Sequence, residues 1–403
     1  MSRNANRSNK PECGKVLLIV SNNFGQMGAA RIAIYQANHE VNGDFFGRVF
    51  FATTTTTGDQ ADLSSLLSSL AVCLRGKSAR EVVAEVQRAM TNKDQLIVHA
   101  QGEVADDFVQ NMRSILDSTD PPPRYSIGFF ATRHGGWEEE WGQHRKDSAE
   151  RNKLVSRIKQ IVDARSQIFY VAPKNIRMMK ASEFGMSSSQ IAQKFVLVSN
   201  GLPPIGRVET TLPNLGLRAG IFTFILIGRA DTDHKGHLRA VQAVEALKTE
   251  HKLECQIILF GDGIYSDLAV NYAQSSSSIG HCVYNGGYSN NAAGHIHLAD
   301  FLLLPSTAPD ESTPGVLYEA LQEGKPSIAT DVGRVSEIMS GAGLLMKPEK
   351  DGTLRQDHLV NTMQNAIRSS SSQMKQYQIL AKAAASTKVR PIANMCEEYR
   401  RYY

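Results

Sequence analysis

The sequence predicts an α/β protein of two Rossmann-like, doubly wound parallel-sheet domains facing a central cleft. Three observations lead there. Short apolar, β-branched runs alternate with glycine-bearing loops and helical patterns. The alternation stops at a Pro/Gly-rich stretch near the middle and then starts again. The length, 403 residues, exceeds what one core organises, so two domains of roughly 150–200 residues are expected.

The elements follow in order. The polar start, "MSRNANRSNKPECGK", reads as a disordered leader over 1–14. "KVLLIVSN" (15–22) is a strand ending in the loop "NFGQMGAA", and "RIAIYQANHEV" continues as a helix. "RVFFATT", "QLIVHAQG", "YSIGFFATRHGG", "SQIFYVAP" and "KFVLVSNGLPP" repeat the strand-then-loop pattern, with "AREVVAEVQRAMTNK" among the helices between them. These make a first domain over 15–204. Residues 201–220 hold three prolines and four glycines with little periodicity, so 205–219 reads as a linker. The second domain, 220–385, runs "IFTFILIGRA" strand, "GHLRAVQAVEALKTEH" helix, then the strands "CQIILFGDG", "HCVYNGGY" and "DFLLLPS". The helix "PGVLYEALQEG" and the strand "PSIATDVG" follow, and a mostly helical tail closes the chain, 386–403 forming the last helix. Ligands of such sheets sit beyond the carboxyl ends of the strands, so the informative residues should lie just after strands.

Composition narrows the class without deciding it. Lys and Arg number 44 against 40 Asp and Glu, a small excess compatible with phosphate-bearing ligands or an anionic surface. No apolar run approaches the ~20 residues of a spanning helix. Five scattered cysteines without a C-x-x-C pair read as reduced thiols. His295 and His297, two residues apart, would point to different faces of a helix and do not make a metal site.

Four post-strand sites carry the chemistry. In "GQMGAAR" (25–31), Gly28 stands where a strand-to-helix turn would bring backbone N–H groups to a phosphate, or simply turn tightly. In "GRADTDHKG" (228–236), Arg229 and Lys235 share one loop, which suits a bound diphosphate; solvated surface cations are the alternative. The Asp231-Thr232-Asp233 pattern there could hold a divalent metal, but the two cations already supply the charge a metal would bring, so none is expected. In "ESTPGVLYE" (311–319), the Thr313-Pro314-Gly315 turn precedes a helix whose first amides are free for an oxyanion. Glu311 lies before that turn and Glu319 about two turns into the helix, too far apart for a glycosidase pair at one bond. The fourth site is histidine after first-half strands: His99 in "LIVHAQGE" and His134 in "FFATRHGGW".

With these in order, the chain resembles the retaining glycosyltransferases of family 4, which have the GT-B fold. "ESTPGVLYEALQEGKPSIATDVG" resembles that family's E-x7-E signature and "ILIGRADTDHKG" its G-R…K-G phosphate loop; "IILFGDG", "VYNGGYSN", "HLADFLLLPS" and "FVLVSNGL" also match. The likeness covers nearly the whole chain and is strongest over 196–340. It implies that Gly28 faces the donor phosphates, that Arg229 and Lys235 neutralise the diphosphate, and that Glu311 holds the transferred sugar. Glu319 would grip the ribose hydroxyls, the turn Thr313-Pro314-Gly315 would bring its amides to sugar and phosphate, and His134 would stand at the sugar's reacting face, with His99 a looser match upstream. Met27 in place of a first glycine, an Arg-to-Lys spacing one residue longer, and Arg334 after "TDVG" depart from the pattern; none removes a charge.

The resemblance implies a metal-independent hexosyltransferase with no cofactor beyond its nucleotide-sugar donor, acting on a glycan, glycolipid or small-molecule acceptor and on no nucleic acid. It implies a cytoplasmic protein of polysaccharide biosynthesis, with peripheral contact at the inner membrane face left open. A same-fold epimerase or phosphorylase-like enzyme and a non-catalytic nucleotide-sugar-binding protein are the alternatives. In the loop 132–152, Trp137 and Trp141 would stack on a sugar or pack into the core.

Overall fold

The computed structural model describes residues 14–22, 28–55, 63–134, 156, 159–171, 187–307 and 313–403. The chain divides into two compact units: unit 1, up to Pro203 together with Arg390–Tyr403, and unit 2, Pro204–Val389.

Unit 1 holds a seven-stranded sheet. Its elements are β1 (Lys15–Ser21), α1 (Gly28–Asn42), β2 (Arg48–Thr53), β3 (Val72–Leu74), α2 (Ala79–Ala89), β4 (Gln95–Gln101), α3 (Glu103–Asp117), β5 (Ser126–Arg133), β6 (Gln167–Tyr170), α4 (Ser188–Lys194) and β7 (Phe195–Leu197). The order is β3-β2-β1-β4-β5-β6-β7, with every pairing parallel. Parallel strands covered on both faces read as continuous apolar runs, as "KVLLIVS" does. Along β4, Leu96, Val98 and Ala100 enter the core that includes Val82, Val83 and Val86 of α2. Ile97, His99 and Gln101 alternate to the opposite face. There the closing helix, Ile392–Arg400, packs on α1, and Arg400 pairs with the buried Glu40 through Nη2 at 2.5 Å. Helix starts are set locally: Ser78 and Glu81 form a reciprocal capping box on α2.

Unit 2 repeats the plan. It comprises β8 (Phe222–Ile227), α5 (His237–Thr249), β9 (Cys255–Phe260), α6 (Ile264–Ser275), β10 (Val283–Asn285), β11 (Phe301–Leu304), α7 (Gly315–Gln322), β12 (Ser327–Thr330), α8 (Val335–Met339), β13 (Gly343–Met346), α9 (Gln356–Ile367) and α10 (Ser371–Lys388). The order is β10-β9-β8-β11-β12-β13, again all parallel. Alternate residues feed two cores: Phe224, Leu226 and Ile257 one, Ile225, Ile258 and Phe260 the other. In both sheets β1 and β8 hold the equivalent central place where the winding reverses.

Three expectations change. β3 and β13, three and four residues at sheet edges, have too few residues to show a period. Residues 205–219 do not form a free linker. Leu217 is buried, Ile205, Leu212 and Leu215 pack on the unit 2 core, and Val208 N–H donates to the Gly294 carbonyl at 3.1 Å. Their apolar side chains lack a helical or strand period, so a Pro/Gly-rich reading hid their burial. His295 and His297 lie in a 3-10 segment, Ala292–Leu298, and His297 Nδ1 is 2.8 Å from the Gly294 carbonyl. No described helix is long and apolar enough to cross a membrane.

Candidate functional site

At the carboxyl edge of the unit 2 sheet, three loops are joined through their backbones. Gly228 N–H donates to the Phe260 carbonyl at 3.0 Å, Ala230 N–H to Asp262 at 3.0 Å, and Gly261 N–H to Gly287 at 2.8 Å. Such approach requires glycine. Gly261 has φ +134°, and a Cβ there would run into the Gly228 carbonyl; Gly263, at φ +124°, would strike the backbone of Ala230 and Asp231. The loop after β8 is therefore held by the loop after β9.

Both predicted cations stand on this braced loop. The Lys235 stem lies along Gly228, where an added Cβ would come within 3.1 Å of its Cγ. Arg229 is about half exposed, its Nη1 3.4 Å from the Asp231 carboxylate. A pair this exposed contributes little, so the guanidinium can exchange that partner for a stronger anion. Asp233 is taken by Arg239, whose Nη1 lies 3.0 Å from its carboxylate and whose Nη2 donates to its carbonyl at 2.8 Å. Each aspartate of the D-x-D pattern thus faces an arginine. The turn is tied onward: Thr307 N–H donates to the His234 carbonyl at 2.9 Å. His237, the first residue of α5, is fully buried, and burial pushes its pKa down to about 4, leaving a neutral ring.

α7 begins as expected, with Pro314 at its cap, a residue whose side chain makes no capping hydrogen bond. Gly315 is exposed, and among the described residues nothing lies within 4 Å of where its Cβ would be. Thr313 is half-buried and Pro314 buried. Glu319 is 8% exposed and is the fifth helical residue, one turn in rather than two, because the helix starts at Gly315. Glu311 lies outside the described residues. Arg334, noted as a departure, caps α8 and grips Glu337 of its own first turn.

On unit 1, Gly28 opens α1, while the preceding residues 23–27, Met27 among them, lie outside the described residues, as do Trp137 and Trp141. His134 is the first residue beyond β5 and is half-buried, Nε2 2.8 Å from the Gln101 side-chain oxygen. Burial lowers its pKa to about 4, so it is neutral at pH 7. His99 is not beyond a strand. It is the fifth residue of β4, fully buried, with its ring centroid 4.8 Å from that of Tyr399 and its Nδ1 against the Tyr403 hydroxyl. It is a structural histidine, because it falls on the sheet face that the closing helix covers.

The match that bears on this geometry spans the braced loop and the start of α7. Residues 221–365 match the family model Glycosyl transferases group 1. This group 1 region contains Arg229, Lys235, Gly261, Thr313, Gly315 and Glu319. A search of curated proteins finds no match. Among solved structures, a glycosyltransferase from Rickettsia africae ESF-5 aligns with a TM-score of 0.65 at 13% identity, covering 96% of this chain and 97% of its own. HepE of Anabaena, solved in complex with UDP and glucose, aligns with a TM-score of 0.66 at 15% identity, over 96% and 98%. Sucrose-phosphate synthase from Thermosynechococcus elongatus gives 0.65 at 15%, over 96% and 98%. At these identities the likeness is one of fold: two parallel-sheet α/β domains with GT-B glycosyltransferases as structural neighbours.

Sequence reading missed two groups here. Gly261 and Gly263 sit in "FGDG", where the paired glycines were a usable signal for close backbone approach. Gln36 and Gln101 left no signal, since neither residue type nor spacing marks them out.

Proposed function

We propose that the protein is a retaining glycosyltransferase of the family 4 type. It moves a hexose from a nucleoside-diphosphate sugar to a hydroxyl of a glycan, glycolipid or small-molecule acceptor. The observation that carries this reading is the loop Gly228–Gly236, which carries Arg229 and Lys235 on a backbone-braced turn inside the group 1 region. Breaking the bond between anomeric carbon and phosphate oxygen builds negative charge on the diphosphate and oxocarbenium character on the sugar. Fixed cations and amides stabilise that charge most as it departs. Arg229 and Lys235 supply the cations, and the uncapped start of α7 supplies the amides, with Gly315 leaving the approach open.

Glu319 binds the ribose hydroxyls, Glu311 the transferred sugar and Gly28 the donor phosphates, and His134 stands at the sugar's reacting face, where the acceptor hydroxyl arrives. The acceptor oxygen bonds to the anomeric carbon on the face the phosphate leaves, and its proton passes to a departing phosphate oxygen. No metal is needed in this scheme. The engagement of Asp233 by Arg239 supports cation-only neutralisation.

HepE was solved with UDP and glucose, which supports a nucleotide-sugar donor and makes UDP-glucose the first to test. Release of free nucleoside diphosphate would be measured across UDP-, GDP- and ADP-sugars. Arg229→Ala is expected to lower kcat/KM by about 10²–10³-fold with an unchanged melting temperature. Near-normal turnover in that variant would reject the reading.

A further inference from the structure

His134 ends a chain of buried hydrogen bonds. Its Nε2 lies 2.8 Å from the Gln101 side-chain oxygen, and the Gln101 amide nitrogen donates to the Gln36 side-chain oxygen at 2.7 Å. The Gln36 amide nitrogen donates to the Tyr403 hydroxyl at 2.9 Å and lies 3.3 Å from His99 Nδ1. His99 Nε2 is 2.7 Å from the Thr132 hydroxyl, which is 3.1 Å from the Tyr399 hydroxyl. Tyr399 also bonds Gln101. Gln36, His99 and Thr132 are fully buried and Gln101 is 1% exposed, so water does not substitute for these partners. Strand register brings part of the chain together: Gln101 of β4 pairs directly with Thr132 of β5.

Such a chain has a direction. A primary amide donates only through nitrogen and accepts only through oxygen. With the Gln36 nitrogen turned to Tyr403 and His99, its oxygen receives the Gln101 nitrogen. The Gln101 oxygen is then left for His134, and it can only accept. His134 Nε2 therefore carries the hydrogen and Nδ1 is bare. At the far end the Tyr403 hydroxyl, having accepted from Gln36, donates to His99 Nδ1, and His99 Nε2–H donates to Thr132. Both rings are neutral in this scheme, which agrees with burial lowering both pKa values.

We propose that Gln101, oriented by Gln36, is a positioning residue that fixes His134 as the Nε2–H tautomer and presents bare Nδ1 to the hydroxyl of the acceptor substrate. This rests on the reading of His134 as the acceptor-side group of the transferase. A bare imidazole nitrogen accepts a hydrogen bond from the bound hydroxyl and so holds the acceptor oxygen in place until the hydrogen passes to the departing phosphate oxygen; the opposite tautomer offers an N–H and repels that hydrogen. The second amide matters because one glutamine alone can rotate its oxygen and nitrogen at little cost. Two in series, closed on a buried tyrosine and histidine, can reverse only together, and only if the Tyr403 hydroxyl and the His99 tautomer reverse with them.

The test uses the full chain labelled with ¹⁵N-histidine. Long-range ¹H–¹⁵N spectra at pH 7 should show His134 protonated at Nε2 and bare at Nδ1; a protonated Nδ1 in the wild type overturns the proposal. Gln101→Met should mix the tautomers and lower kcat for nucleoside diphosphate release by about 10–100-fold, the loss typical of removing a histidine's orienting partner, with the donor KM little changed. Gln36→Met, which does not touch His134, should also mix the tautomers, with a smaller loss of kcat. Should Gln101→Met fold poorly, the wild-type spectrum and Gln36→Met still decide. Full turnover in His134→Ala would overturn the transferase role of His134 and the positioning role with it. An inactive His134→Ala beside a fully active Gln101→Met would overturn the positioning role alone.

Discussion

At the carboxyl edge of unit 2 the loops after β8, β9 and β10 meet backbone to backbone, whereas at the same edge of unit 1 the joining groups are side chains. Gly228, Gly261 and Gly287 fall within 60 residues of one another and bond N–H to carbonyl. In unit 1, Gln36, His99, Gln101, Thr132, Tyr399 and Tyr403 come from both ends of the chain and are bonded through amide, imidazole and hydroxyl groups. The two constructions suit different tasks. A backbone cradle is indifferent to protonation and holds cations at fixed distance from an anion. A buried side-chain network is polarised, and so can set a tautomer, but it is sensitive to pH and to the loss of any member.

Breaking the cradle should give the largest effect on stability. Gly261→Ala forces a Cβ toward the Gly228 carbonyl at φ +134°. The conformation alone costs about 1–3 kcal/mol. Urea unfolding should show at least that loss, and nucleotide-sugar binding by thermal shift should disappear with it. A stable, donor-binding Gly261→Ala would mean that the loops need not touch.

Acid should expose the weakness of the other construction. Burial pushes the His99 pKa from 6.5 down to about 3. The unfolded chain takes up this proton below about pH 6.5 and the native ring does not, so stability present at neutral pH is lost as pH falls through that window. The loss is about 1.4 kcal/mol per pH unit, or roughly 2 kcal/mol at pH 5. The difference in pH slope between wild type and His99→Gln isolates it from the buried carboxylates, whose shifts run the other way. Equal slopes would mean that His99 is not held neutral.

The smallest effect separates binding from folding. Gly315→Ala meets no described neighbour within 4 Å and has no positive φ to relieve. It should raise stability by about 0.4–1 kcal/mol through the unfolded chain. The same methyl would stand at the uncapped start of α7, so donor affinity measured by titration should fall. Unchanged affinity would remove α7 from the phosphate site.

What could be read in advance follows this division. The loop 228–236 and the turn 313–315 are contiguous, and each announces itself by residue type and spacing over fewer than ten positions. The depth of Glu319 was overestimated, because the first helical residue depends on where Pro314 and Gly315 leave extended geometry. Residues 205–219 were misread because their burial has no period. His99 and His134 looked alike as histidines near strand ends, yet one is core and the other lies at the edge.

The sequence by itself determined the order of strands and helices, the restart that makes two sheets, and the loops that bear glycine and cation together. All of these are local, encoded by neighbours whose spacing survives in the chain. Only the tertiary structure decided what covers each face of β4. The cover arrives with Tyr403, 304 positions from the His99 it touches. A strand's two faces differ by one residue, while what buries a face is a packing event between distant segments, so no local pattern records it.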